Sequence, residues 1–213
     1  MTTMQHFTRR RFLKAVGVTA SAMTCAGLGY AATRTPAVAT PELTLQKDTA
    51  MNKRILVTYA TRAGSTAEIA QAIAETLAGR NYAVDVKPVK EKPALNGYSA
   101  VVLGSAIRMG AWLPEAVDFV KANQAALNAL PIALFTAHTL NMGDGETSRA
   151  ARVAYLDVVR PLLKGAETAY FQGKMDFSRL SFLDRTVAKM VKSVEADHRD
   201  WIGIRQWANA IWS

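Results

Sequence analysis

Cysteine is almost missing from this 213-residue chain, with Cys25 as its single example. Beyond that position there is no disulfide, no thiolate nucleophile and no cysteine-held iron–sulfur cluster. Histidine is nearly as scarce. His6, His138 and His198 lie far apart, which leaves no zinc-like or diiron-like spacing and no metal site to assign. Redox chemistry, if the chain performs any, must then rest on a bound organic cofactor. Acidic residues are absent before Ala39, a stretch that holds Arg9, Arg10, Arg11, Lys14 and Arg34. The net charge of +9 is concentrated there; the remainder carries 21 cations against 17 anions, too small an excess for a nucleic-acid footprint. Long apolar runs are lacking too. Residues 15–32 form only a mildly apolar stretch, interrupted by Gly17, Gly27 and Gly29, and too weak for a comfortable membrane span.

What is present at the start is an ordered leader. Thr8-Arg9-Arg10-Arg11-Phe12-Leu13-Lys14 precedes the apolar stretch, and Ala37-Val38-Ala39 offers a small-residue cleavage site. This leader resembles the twin-arginine (Tat) signal peptide. The resemblance implies the Tat translocase as a partner and export of an already folded protein to the periplasm or the outer face of the inner membrane. An uncleaved leader serving as an anchor, or a protein on the cytoplasmic face, is the alternative. The expected division is a signal peptide over residues 1–39, a polar linker over 40–52 and one domain over 53–213.

The domain alternates strand and helix signals, the pattern of a parallel sheet covered on both faces. Strands are predicted over residues 54–59, 82–89, 100–105, 131–138 and 167–172, and helices over 65–80, 114–127, 148–164 and 201–212. Ile69, Ile73 and Leu77 recur on one face of the first helix, and Ile204, Trp207, Ala208 and Ile211 point inward from the last. Five strands in this alternation fit an α/β doubly wound, flavodoxin-like sheet of order 2-1-3-4-5. Residues 174–200 exceed the minimal fold. They include a helical stretch over 184–194, with Val187, Met190, Val191 and Val194 as an apolar stripe and Arg185, Lys189 and Lys192 on another face.

The first strand runs into Thr61-Arg62-Ala63-Gly64-Ser65-Thr66 and then a helix. A loop entering a helix N-terminus presents unpaired N–H groups to an anion. Thr61, Ser65 and Thr66 add hydroxyls, Gly64 allows close backbone approach, and Arg62 either offsets phosphate charge or points to solvent. The loop has neither the Gly-Lys-Ser/Thr of a triphosphate site nor a dinucleotide Gly-x-Gly-x-x-Gly. The alternative for Ser65 is a capping box with Glu68. Tyr59 through Thr66, followed by Ala70, resembles the flavodoxin signature, which implies FMN as a non-covalent cofactor; Thr58 departs from it, where that family has a large apolar residue.

In this fold ligands sit at the carboxyl ends of the central strands, so the loops after the third and fourth strands are expected to flank a flavin ring. They supply Ser105, Ala106, Ile107, Arg108, Gly110 and Trp112 from one side, and Thr136, Ala137 and His138 from the other. Gly104 and Gly110 are expected to bracket the first loop. Trp112 either stacks on the ring or packs against the helix that begins at Pro114. Arg108 polarises the flavin, binds an anionic substrate or is a solvated cation. His138 donates to the flavin, transfers protons or is a structural hydrogen-bonder. No residue is assigned a catalytic role.

The run from Val101 to Gly110, Phe119-Val120-Lys121, the segment 177–184 and Asp200-Trp201 together resemble one subfamily, the menaquinone-dependent protoporphyrinogen oxidases. That resemblance implies an FMN-dependent oxidoreductase passing hydrogen from an organic donor to a membrane quinone, with the basic amphipathic helix over 184–194 suited to an anionic membrane surface. The alternative is an exported flavodoxin-type electron carrier with no substrate of its own.

Overall fold

Buried parallel strands are apolar on both faces because helices cover both, and Ile55-Leu56-Val57 and Val101-Val102-Leu103 follow that rule. The computed structural model describes residues 43–45, 53–190 and 194–212, all within the compact unit Thr35–Ser213. The expected leader lies outside the described residues. In chain order the elements are β1 (Leu43–Leu45), β2 (Arg54–Ala60), α1 (Ser65–Gly79), β3 (Ala83–Pro88), β4 (Ala100–Arg108), β5 (Ala111–Trp112), α2 (Pro114–Ala122) and α3 (Gln124–Leu127). They continue as β6 (Ile132–His138), α4 (Glu146–Ala154), β7 (Glu167–Gln172), β8 (Lys174–Met175), α5 (Phe182–Met190), β9 (Ala196–Asp197) and α6 (Trp201–Ala210).

The sheet order is β1-β3-β2-β4-β6-β7. The five parallel strands β3-β2-β4-β6-β7 are the expected 2-1-3-4-5 order of a flavodoxin-like α/β fold. Part of the segment expected as a linker joins them: Leu43–Leu45 pairs antiparallel with β3, Leu43 opposite Val86 and Leu45 opposite Val84. That pairing covers an edge β3 would otherwise expose.

Alternation along each strand divides the core. Ile55, Val57, Val84, Val86, Val102 and Phe135 face α1 and α6, which bring Ile69, Ile73, Leu77, Ile204 and Ala208. Leu56, Val101, Leu103 and Leu134 face α2 and its neighbours, with Leu113, Ala116, Val120 and Leu156. Gly104 lies inside β4 opposite Phe135 of β6. A Cβ on Gly104 would stand 2.0 Å from the Phe135 ring, so this glycine makes room for an aromatic rather than opening a loop. Phe135 approaches Phe171 at 6.1 Å, and Phe171 meets Trp207 edge-on at 5.5 Å, linking β6, β7 and α6.

Three helices differ from their predicted extents. The helix from Pro114 stops at Ala122, where the Asn123 side chain donates to the Phe119 carbonyl, and resumes as the short α3. The helix predicted over 148–164 is α4 followed by turns and a 3-10 turn at Arg160–Leu162. Pro161 has no N–H and disrupts an α-helical interior. The helix predicted over 184–194 begins earlier, at Phe182, and its described part is Phe182–Met190. Val191 of its apolar stripe and Lys192 of its basic face lie outside the described residues.

Candidate functional site

The carboxyl ends of β2, β4 and β6 lie side by side, with Ala60 opposite Ser105 and Ser105 opposite Thr136. The residues expected around a cofactor therefore come together along one rim of the sheet, as its doubly wound topology requires.

At the end of β2, Gly64 is the N-cap of α1, with φ 88° in the left-handed region that glycine adopts freely. No side chain caps this 15-residue helix, so the first-turn N–H groups keep their positive end for an anion. Thr61 Oγ1 accepts the Gly64 N–H at 3.0 Å and holds the loop closed. Ala63 lies within that turn, and Thr66 is buried in the first turn of α1. Arg62 forms a half-exposed ion pair with Glu115 at 3.0 Å. The capping box does not form. Ser65 is the first helical residue rather than the cap, and its Oγ accepts the Lys174 N–H at 2.9 Å.

At the end of β4 the expected loop is mostly strand. Ser105, Ala106, Ile107 and Arg108 continue β4, which folds back through Met109 (φ 53°) and Gly110 (φ 78°) so that Ile107 pairs with Trp112 and Arg108 with Ala111. Two consecutive positive φ values make the tight hairpin turn that matches strand twist. Ser105 Oγ accepts the Leu113 N–H at 3.0 Å and faces the Ala106 carbonyl at 2.9 Å, so its hydroxyl serves this hairpin. Trp112 is 3% exposed and packs in the core beside α2, the second of its two expected roles; its indole N–H finds no hydrogen-bond partner among the described residues. Arg108 donates to Asp184 of α5 at 2.6 Å, so this half-exposed side chain is an ion-paired cation rather than a free one.

At the end of β6, Thr136 and His138 are buried and Ala137 packs on the opposite face. His138 Nδ1 lies 2.7 Å from the Leu140 carbonyl, which places the ring proton on Nδ1 and leaves Nε2 as an acceptor. Burial lowers the His138 pKa below its ordinary value against the opposing Leu140 hydrogen bond, with Arg152 adding to the lowering, which favours the neutral ring. Nε2 and Thr136 Oγ1, both buried, find no partner among the described residues.

A group that sequence reasoning missed stands behind the phosphate-type loop. Gly173 N–H donates to the His138 carbonyl at 2.7 Å, and the next N–H, of Lys174, reaches Ser65. From there the segments 173–190 and 194–200 form a strap tied to α1 at Ser65 and Glu68. Arg179 donates to Glu68 at 2.7 Å, and Arg199 bridges Glu68 and Asp197, reaching Asp197 at 2.5 Å and 2.8 Å. The Arg199 side chain is only 6% exposed and lies 4.5 Å over the Trp201 ring. Burial raises the Glu68 pKa, but hydrogen bonds from Arg199 and Arg179 outweigh it and hold the carboxyl below its usual value. The Arg199 hydrogen bonds bring Asp197 down to about 2. The acidic residue at Glu68 and the arginines were readable singly, but their pairing across 111 and 131 positions was not.

Among solved structures the chain is similar to a flavodoxin from the domain Archaea (17% identity, 73% of this chain and 99% of that one, TM-score 0.43). It is 26% identical over 160 residues to protoporphyrinogen IX dehydrogenase [quinone] of Escherichia coli strain K12, across 72% of this chain and 88% of that protein. To the protein of the same name in Leishmania major it is 28% identical over 174 residues, 73% of each. The flavodoxin domain profile matches residues 56–201, well over half the sequence, and the chain belongs to the flavodoxin domain family.

Proposed function

We propose that this protein holds FMN non-covalently at the start of α1 and is an FMN-dependent oxidoreductase, passing hydrogen from an organic donor to a membrane quinone. The observation that carries the reading is the uncapped N-terminus of α1, with Gly64 in the left-handed conformation at the carboxyl end of a central parallel strand. Those features fit a phosphate, which the N–H groups after Gly64 and the Thr66 hydroxyl would bind. The exposed Arg62–Glu115 pair is of a kind worth little, so Arg62 can exchange its partner for a phosphate oxygen. The β4–β5 hairpin and the His138 turn would flank the ring, with Arg108 and Gly110 on one side and the neutral His138 on the other. FMN, when bound, supplies the two-electron chemistry; the chain orients it and excludes side reactions. The named relatives, protoporphyrinogen IX dehydrogenases that use quinone, support the donor and acceptor classes.

We further propose export by the Tat route through residues 1–39, which would carry the folded, loaded domain to the periplasmic side. Lys replacements at Arg9 and Arg10 should then hold the protein in the cytoplasm, and normal export would refute this.

The visible absorption spectrum of the purified protein tests the cofactor, with mass spectrometry of whatever denaturation releases. Oxidised-flavin peaks and released FMN are expected, and Thr66→Val should weaken FMN binding about tenfold by removing one hydrogen bond to a charged group. A colourless protein that takes up no added FMN would overturn the proposal. A loaded protein that reduces no quinone would be an electron carrier instead.

A further inference from the structure

The strap meets α1 where the proposed FMN phosphate would bind, and that placement has a consequence for binding. Ser65 opens the helix, and its Oγ is engaged by the Lys174 N–H at 2.9 Å. Glu68, one turn on, would present a carboxylate to the same helix end that receives the phosphate. Unpaired, that carboxylate would repel the anion; with Arg179 and Arg199 on it, its charge is offset locally. Arg199 forks between Glu68 of α1 and Asp197 of the strap, almost wholly out of solvent.

Building on the FMN reading, we infer that the segments 173–190 and 194–200 are a docking strap that sets the geometry of the phosphate loop through Ser65–Lys174 and Glu68–Arg199, so that strap docking and phosphate binding strengthen one another. Arg199 and Glu68 are then positioning residues: they fix the first turn of α1 and neutralise it without touching the ligand. Reciprocity follows from linkage, because whatever favours the docked strap favours the anion by the same factor.

The test uses the full chain, titrated with FMN and with riboflavin, which has the ring but no phosphate. Arg199→Gln should lower FMN affinity about tenfold and leave riboflavin affinity unchanged. Arg199→Lys keeps the charge but loses the fork, so it should recover only part of the loss. In the unaltered protein, FMN but not riboflavin should slow hydrogen exchange at the Lys174 amide, a readout that survives even if the variants fold poorly. Equal losses for both flavins, full recovery by Lys, or no change in Lys174 exchange would each overturn the strap linkage while leaving FMN binding intact. Failure of the unaltered protein to bind FMN would overturn the functional reading, and the linkage with it.

Discussion

In the sheet, Val57, Val102 and Phe135 are fully buried among aliphatic and aromatic neighbours. Twenty-odd residues of strap beside it are held differently, by Arg179 and Arg199 on Glu68, by Arg199 on Asp197, by Arg108 on Asp184, and by single backbone N–H bonds to Ser65 and His138. Burial of apolar surface is insensitive to acid, whereas carboxylate–guanidinium ties depend on the carboxylates staying charged. The comparison teaches that one domain can combine an apolar platform with an electrostatically fastened attachment, and acid is expected to undo the second before the first.

The largest effect should come from damaging the platform. Gly104→Ala forces a methyl to within 2.0 Å of the Phe135 ring, which is itself fixed against Phe171. Overpacking of this kind should cost about 3 kcal/mol, read as a lower midpoint in urea unfolding. A midpoint within error of the parent would mean that β6 shifts freely and that the sheet is not the rigid member of the pair.

Acid should separate the two regions next. The Asp197 carboxyl titrates near 2 when folded against an ordinary 3.8, and the Glu68 carboxyl is likewise lowered. A depressed carboxylate pKa contributes stability that is complete above the unfolded value and is lost as pH falls through the folded one. Amide protection in β8, β9 and the Phe177–Arg179 turn should therefore decline between about pH 4 and pH 2, ahead of protection in β2 and β4. Simultaneous loss in strap and sheet would show that they form one cooperative unit.

Much of the platform was legible in the sequence. The strand Glu167–Gln172 coincides with its predicted limits, and the buried parallel strands announced themselves as short apolar runs between turn residues. Leu43–Leu45 escaped because three residues in a polar stretch carry no periodicity, and their pairing depends on the exposed edge of β3. The hairpin after β4 escaped because its turn needs positive φ at Met109, a conformation nothing about methionine suggests. Pro161 was a readable stop that the length of the apolar pattern outweighed. At the site, the placement of Thr61, Gly64 and Thr66 between a strand end and a helix start was legible because such a loop is local in sequence. The strap contacts were not, since no local signal pairs Glu68 with Arg179 or Arg199. Ser65 shows the difference within one residue: local pattern assigns it to Glu68, and tertiary structure gives it to Lys174.

The smallest expected effect sharpens the comparison at the point where platform and strap meet. His138 ends β6, and its carbonyl receives the Gly173 N–H that begins the strap. Its ring is buried and its pKa is lowered, so below about its ordinary 6.5 the unfolded chain takes up a proton that the folded chain resists. Stability should therefore start to fall as pH drops below that value, well above the window in which the strap carboxylates titrate. His138→Gln keeps a hydrogen-bond donor for the Leu140 carbonyl and removes the titrating ring. Thermal midpoints of the two proteins, followed from pH 7.5 to 5, should diverge in slope: the parent declines and the variant stays level. If the parent is also level, the His138 ring reaches solvent in solution, and the junction belongs with the strap rather than with the sheet.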